Sequence, residues 1–296
     1  MKKRLQKTNV GSLLFDCINT VVLFALALIA LYPCWYVLVA SFSDPVQLHQ
    51  GSPFVVWPRE FGAYSYKAVI NNAALWIGYR NTFFYVIIGT AFSVILTVSG
   101  AFCATRKDLP GKNIIMMLIL FTMYFGGGMI PTYMVVRSVG ILNTPLAMIV
   151  PTAISTYNLI ITMSYFRSIP DSLEEAATVD GASTFRVFWQ ILLPLAKPIV
   201  AVISLYYAVA IWNDYFNAMI YITEPKYKPL QVVLRQILMQ EGGTAATANV
   251  AGGDDASYAE NIRYATIVVS TVPILCVYPF IQKFFIKGVM IGAVKG

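Results

Sequence analysis

Residues 175–194 read EAATVDGASTFRVFWQILLP, in which Glu175, Ala176, Ala177, Gly181, Ile191, Leu193 and Pro194 fit the pattern E-A-A-x3-G-x9-I-x-L-P. Matching that many fixed positions by chance in one chain of this length is on the order of a one-in-a-million event. The residue types suit recognition rather than catalysis. Pro170 and Asp171 open a helix, Ser172 with Glu175 can form a capping box, and Leu173, Ala176 and Ala177 make one small apolar face. Gly181 permits the left-handed backbone that ends this helix and lets Ser183 or Thr184 start another, whose Phe185, Phe188 and Trp189 share a face. The spacing predicts two short helices, 171–180 and 184–190, forming a knob suited to a groove of another protein. The simpler alternative is a hairpin lying on lipid headgroups. The Glu174/Glu175 pair argues against it for the first helix, because anionic lipid would repel the two carboxylates, whereas the aromatic face of the second can rest on the membrane or on the chain's own helices.

Covalent and hydrolytic chemistry find no footing. The one glycine-lysine pair, Gly111-Lys112, has Arg106 where a G-x-x-x-x-G-K-[ST] phosphate loop needs its first glycine, and Asn113 follows it. Neither H-E-x-x-H nor G-x-S-x-G occurs. Cys17, Cys34, Cys103 and Cys276 stand singly in or beside apolar stretches and His49 is the sole imidazole, so neither a disulfide framework nor a metal site is expected.

Polar groups inside apolar stretches are the second set with chemical potential. An ionisable group in lipid is costly and tends to face a polar path, which singles out Asp214 within Trp212-Asn213-Asp214-Tyr215. A buried bond between helices, with Asn213 or Asn217 as glue, is the competing reading. Tyr124, Tyr133, Tyr157, Asn158, Tyr206 and Tyr207 could offer ring faces and polar groups to a cargo, or belong to interfacial belts. Gly126, Gly127 and Gly128 interrupt an apolar run, as a gate hinge or for tight packing.

The elements that must position these residues follow from composition. Of 296 residues 58% are hydrophobic and 12% charged, whereas soluble domains carry roughly 25% charge. Apolar runs cover 17–43, 81–105, 113–136, 138–166, 198–223 and 264–282, each near or above the ~20 residues a helix needs to cross the hydrocarbon core. Barrel strands would be shorter. The expectation is an all-α membrane protein with six transmembrane helices in one domain, 1–296. The first run exceeds a signal core of about 7–15 residues and holds Tyr32, Pro33 and Trp35 where a cleavage site would need small residues. Lys2, Lys3, Arg4 and Lys7 put the N-terminus in the cytoplasm by the positive-inside rule. Six spans then place Arg106, Lys107 and Lys112, the segment 167–197, and the C-terminal Lys283, Lys287 and Lys295 on the same side. The net charge of +7 is met by loops facing anionic lipid, and without a basic stripe interleaved with aromatics nucleic acid is not an expected partner.

Between the spans, 44–80 is external and broken by Pro45, Pro53 and Pro58, with a short surface helix over 64–75. Pro110 and Gly111 make 105–112 a tight cytoplasmic turn, the informative segment 168–197 is cytoplasmic, and 224–263 is external with a flexible stretch at 242–257.

On the E-A-A segment the chain resembles the permease subunits of binding-protein-dependent ABC importers. SFSDP at 41–45, RNT at 80–82, LPLAKP at 193–198, WNDYF at 212–216 and the glycine-lysine tail resemble the carbohydrate-uptake branch, and FGGGMIPTY at 125–133, GILNTPLAMIVP at 140–151 and PLQ at 229–231 the subgroup importing oligosaccharides or polysaccharide fragments. The resemblance implies a type I importer permease fold in a bacterial cytoplasmic membrane. It also implies a cytoplasmic coupling loop in which Glu174, Glu175, Ala176, Ala177, Asp180, Gly181, Ala182, Ile191, Leu193 and Pro194 meet an ATPase. Implied partners are two ATPase subunits, which would hold the ATP and magnesium this chain has no loop for, a second permease and an extracytoplasmic sugar-binding protein. Candidate path residues are Asn213, Asp214, Tyr215, Asn158, Tyr157 and Tyr124. An ion-coupled secondary sugar transporter is the rival class. It would use Asp214 for coupling but leaves the knob unexplained, and inverted repeats are not evident.

Overall fold

The computed structural model describes residues 10–49, 54–106, 108–239 and 258–276. Helices make up all of their regular structure; the single β-type pairing is an isolated bridge between Ser43 and Phe61. Two units are distinguished, Met1–Asn72 with Ile237–Thr271, and Ala73–Gln236 with Val272–Gly296.

In the first unit, α1 (Val10–Ser41) runs for 32 residues, about 48 Å at 1.5 Å per residue. Its lower part presents Leu14, Phe15, Leu23, Phe24 and Ile29 openly, and a helix apolar on all sides is one solvated by lipid. Its last turn packs: Val39 and Ala40 join Leu48 and Val55, with Tyr36 and Tyr264 against them. The SFSDP stretch ties this end together. Ser41 Oγ and Tyr66 Oη share a hydrogen bond, Ser43 Oγ accepts from Arg59 N, and Asp44 Oδ1 accepts from Val46 and Gln47 N–H to cap the short helix Pro45–His49. Asn261, on the helix covering 258–276, donates to the Ser43 carbonyl. A helix does form in the segment expected to be external, but over Tyr64–Ile70, and with Ser65 and Val69 buried.

The second unit is organised around α2 (Ala73–Thr105), whose 33 residues begin well before the apolar run because Ala73–Tyr79 are themselves mostly apolar and only the charge of Arg80 separates them from it. Near one end, Val98, Ala101 and Ala104 form a core with Leu159, Met163, Phe166, Ile203 and Tyr207. Near the other, Tyr85 joins Val136, Ala147, Met148, Ala218, Tyr221, Ile222 and Val232. Alanines at these positions let backbones approach closely, as helix packing in lipid requires.

The remaining runs are broken. The third divides into α3 (Lys112–Tyr124) and α4 (Met129–Ser138), bent by 117° at the glycines. An added Cβ at Gly126 or Gly128 would meet nothing within 4 Å, and at Gly127 only Pro131 Cβ at 3.9 Å, so within this chain the glycines answer no tight packing, and the left-handed φ of 86° at Gly128 accompanies the bend. The fourth run is not one helix. A short turn of helix, Leu146–Ile149, gives way at Pro151 to an irregular stretch before α5 (Thr156–Ser168), because proline supplies no N–H and Ser155 starts a new helix as its N-cap. The fifth is interrupted at 213–215, between Lys197–Trp212 and Phe216–Tyr221, and Lys197–Trp212 turns by 78° from Thr184–Leu195, which precedes the run. The sixth is helical through residue 276, and its remainder, both chain termini and 242–257 lie outside the described residues. Among those described, two helices are long and apolar enough to cross a membrane, or up to four when each bent pair counts as one span.

Candidate functional site

The segment 171–195 folds as two helices around Gly181. The first, α6 (Asp171–Val179), follows Pro170 with no side-chain cap, so the capping box between Ser172 and Glu175 does not form. The acidic first turn with Asp171 and Glu174 complements the helix dipole instead. At its far end Gly181 has φ +80°, Ala182 N–H reaches back to the Ala177 carbonyl and Gly181 N–H to Thr178. This pair of bonds is the Schellman arrangement, in which a left-handed residue satisfies the last carbonyls of a helix. Ser183 Oγ then accepts from Arg186 N–H and starts α7 (Thr184–Val187), which widens into a π-helical turn, Phe188–Leu192, before Leu193–Leu195.

No side chain of α6 is buried, and Val179 is 88% exposed and Phe185 70%. Glu175, Ala176 and Asp180 are exposed, Ala177 and Ala182 half-buried. The aromatic face predicted for the second helix divides: Phe188 is buried against the Phe102 ring, with centroids 4.8 Å apart, while Phe185 and Trp189 point outward. Ile191 and Leu193 are half-buried and Pro194 exposed. Tyr165 on α5 donates to the Leu195 carbonyl at 3.1 Å, holding the end of the segment near its start.

The acidic pair is divided too. Glu174 forms an ion pair with Arg106 Nη1, from the turn between α2 and α3, whereas Glu175 stays exposed. The Arg106 guanidinium lies 5.2 Å from the Phe102 ring centroid, and Lys112 Nζ donates to the Thr105 and Arg106 carbonyls. A cleft of about 830 Å³ opens between the turn and α6, lined by Arg106, Lys112, Arg167, Asp171, Glu174 and Glu175 among others.

A second cleft, of about 720 Å³, gathers most candidate path residues. Tyr157 and Asn158 from α5, Tyr206 and Tyr207 from α8 (Lys197–Trp212), and Asn213 and Asp214 beyond it all line this space. Asp214 Oδ1 accepts from Asn217 N–H at 3.1 Å and Oδ2 from Asn217 Nδ2 at 3.0 Å, so the carboxylate caps the helix Phe216–Tyr221 while reaching the cleft. The Tyr157 and Tyr206 rings stand 6.3 Å apart. Tyr207 anchors the wall: its hydroxyl accepts from Ser155 N–H at 2.9 Å and shares a 2.7 Å bond with Thr97 on α2. Tyr124 and Tyr215 are not brought here. Tyr124 is 77% exposed at the end of α3, and the Tyr215 ring lies under the Arg235 guanidinium at 4.5 Å. Tyr133 packs beside Tyr221.

Sequence reasoning left two joints unassigned. Asn81 Nδ2 donates to the Lys226 and Lys228 carbonyls, Tyr85 Oη to that of Tyr227, and Thr82 Oγ1 accepts from Leu230 N–H, capping α9 (Leu230–Met239) from another helix. Asn143, left-handed at φ 56°, accepts with Oδ1 from Thr223 N–H, Thr223 Oγ1 and Glu224 N–H. The signal for the second joint was an asparagine before Thr-Pro, a residue type that tolerates positive φ.

Comparison with known proteins fits this geometry. The family model described as binding-protein-dependent transport system inner membrane component matches residues 70–291. Protein LplC of Bacillus subtilis (strain 168) is 41% identical over 286 residues, covering 95% of each chain. The polygalacturonan/rhamnogalacturonan transport system permease protein YtcP of the same organism is 41% identical over 283 residues, covering 96% of this chain and 99% of that one. Among solved structures, a chain of a bacterial ABC transporter involved in the import of the acidic polysaccharide alginate superposes with a TM-score of 0.89 at 33% identity, covering 94% of this chain and 99% of that one. With the helical type I permease fold, the chain belongs to the binding-protein-dependent transport system inner membrane component family.

Proposed function

We propose that the chain is the permease subunit of an ATP-driven importer of an oligosaccharide or polysaccharide fragment, forming half of the translocation path across a bacterial cytoplasmic membrane. The observation that carries the coupling part is the knob at 171–195. A helix with no buried side chain, closed by a Schellman glycine and followed by outward Phe185 and Trp189, is a surface built to be covered. Its occupant in this reading is a cytoplasmic ATPase, two copies of which bind ATP and magnesium, since the chain has no phosphate loop. Glu174, Glu175, Ala176, Ala177, Asp180, Gly181, Ala182, Ile191, Leu193 and Pro194 form or support this surface. A second permease and an extracytoplasmic sugar-binding protein complete the assembly; the names of the similar permease and of the alginate importer support a saccharide cargo.

In this reading the chain is one permease domain, 1–296, with six spans, of which the third is bent and the fourth and fifth are interrupted, and with both termini in the cytoplasm. The cleft at Tyr157, Asn158, Asn213 and Asp214 is the path: ring faces stack on sugar rings while the amides and carboxylate exchange hydrogen bonds with hydroxyls. Tyr124 and Tyr215 have no part in that wall. Reconstitution of the permease pair and ATPase in proteoliposomes with the binding protein tests the class. Uptake driven by internal ATP supports it; uptake driven by an ion gradient without ATP contradicts it.

A further inference from the structure

We propose that the ion pair between Arg106 and Glu174 is the tie through which α6 moves the turn between α2 and α3, making Arg106 a positioning residue for coupling. The proposal rests on the reading of 171–195 as the docked element. With no buried side chain, α6 has little apolar hold on the helices behind it. Its link to that turn is Glu174, which faces inward to Arg106 while the neighbouring Glu175 stays exposed. Arg106 is itself braced: its guanidinium lies over Phe102, Asp108 stands 3.7 Å from Nε, and Lys112 Nζ holds the Arg106 carbonyl at 2.9 Å. Phe102 also packs against Phe188, beyond Gly181. The end of α2 is thereby joined to both arms of the knob, to the first through charge and to the second through aromatic packing. A pull on α6 alone reaches α2 and α3 through the charged joint. The Arg106 and Glu174 side chains are 26% and 30% exposed, so water screens the pair and its main effect is geometric rather than a contribution to stability.

A double-mutant cycle in the reconstituted importer tests this, reading binding-protein-stimulated ATP hydrolysis per ATPase recovered with the permease. Arg106→Gln and Glu174→Gln should each lower stimulation about fivefold or more. The double variant should fall no further than either single one, because the same joint is lost in all three. Arg106→Lys, which keeps the charge, should recover most of the stimulation, an outcome a merely structural role for the guanidinium would not give. Full stimulation in both single variants, or losses that multiply in the double variant, would overturn the proposal. Gly181→Val and Glu175→Lys serve as the separate controls: if both keep full stimulation, the coupling reading fails, whereas if they lose stimulation and the Arg106 cycle shows none of these effects, only the tie fails.

Discussion

Single side chains hold the joints of this molecule, and each makes a separate prediction. Asn143 combines a left-handed backbone with three hydrogen bonds accepted by one carbonyl oxygen. Asn143→Ala should therefore lower the Tm of the purified permease complex by removing both features, at about 0.5–1.5 kcal/mol for each lost hydrogen bond, since Thr223 and Glu224 are exposed and water can take up their donors. Asn143→Gly should recover only the backbone part, and equal Tm values for Asn143→Ala and the unmodified protein would contradict the assignment. At Tyr207 the hydroxyl joins Ser155 and Thr97, so Tyr207→Phe should cost a similar amount and leave Ser155 N–H without this acceptor. Thermal melting followed by fluorescence reads this too. Which of these roles was legible depended on sequence distance. Asp214 with Asn217 is a local i, i+3 pair that caps a helix, where the sequence alone offers Asn213 or Asn217 as glue between helices. Arg106 with Glu174, and Asn81 with the 226–228 carbonyls, join positions far apart in the chain, and residue type alone could not select among the many charges and amides available.

At the scale of elements, apolar content was easy to read and direction was not. Hydropathy sums residue types over a window, so a run bent by 117° gives the same signal as a straight span. The bend needed local backbone chemistry: Gly128 sits at φ 86° and ψ 173°, a region essentially reserved for glycine, where another residue costs on the order of 1–3 kcal/mol. Gly126 has no positive φ and open space around its Cα. Gly128→Ala should thus reduce folded yield and uptake while Gly126→Ala leaves both near the unmodified level. Matched losses in the two variants would show that the bend does not depend on Gly128. The knob was more legible, because glycine, serine and acidic residues at set spacing each act locally on helix ends. The missing capping box and the π-helical turn at Phe188–Leu192 were not: the helix takes Pro170 as its N-cap in place of Ser172, and no residue type in 188–192 marks a wider turn.

For the whole molecule, the proposed function puts coupling to the ATPase and passage of cargo at separate places. The knob and the Tyr157–Asp214 cleft share no lining residue, so a change at one can be read without touching the other. Gly181→Val places a β-branched residue at φ +80° with nothing within 4 Å of its Cβ, so its effect is backbone strain rather than collision, about 1–2 kcal/mol for a left-handed residue. Gly181→Asn, which tolerates that conformation, is the matched control. Glu175→Lys reverses an exposed charge on the docking face without breaking the Arg106–Glu174 pair. The most direct measurement of the central claim is ATP-driven sugar uptake and binding-protein-stimulated hydrolysis recorded together in proteoliposomes. Gly181→Val and Glu175→Lys should lose ATPase association or the coupling of hydrolysis to uptake, with Gly181→Asn close to the unmodified importer. Unmodified uptake by both Gly181→Val and Glu175→Lys, with the ATPase fully bound, would contradict the assignment of this segment as the coupling element.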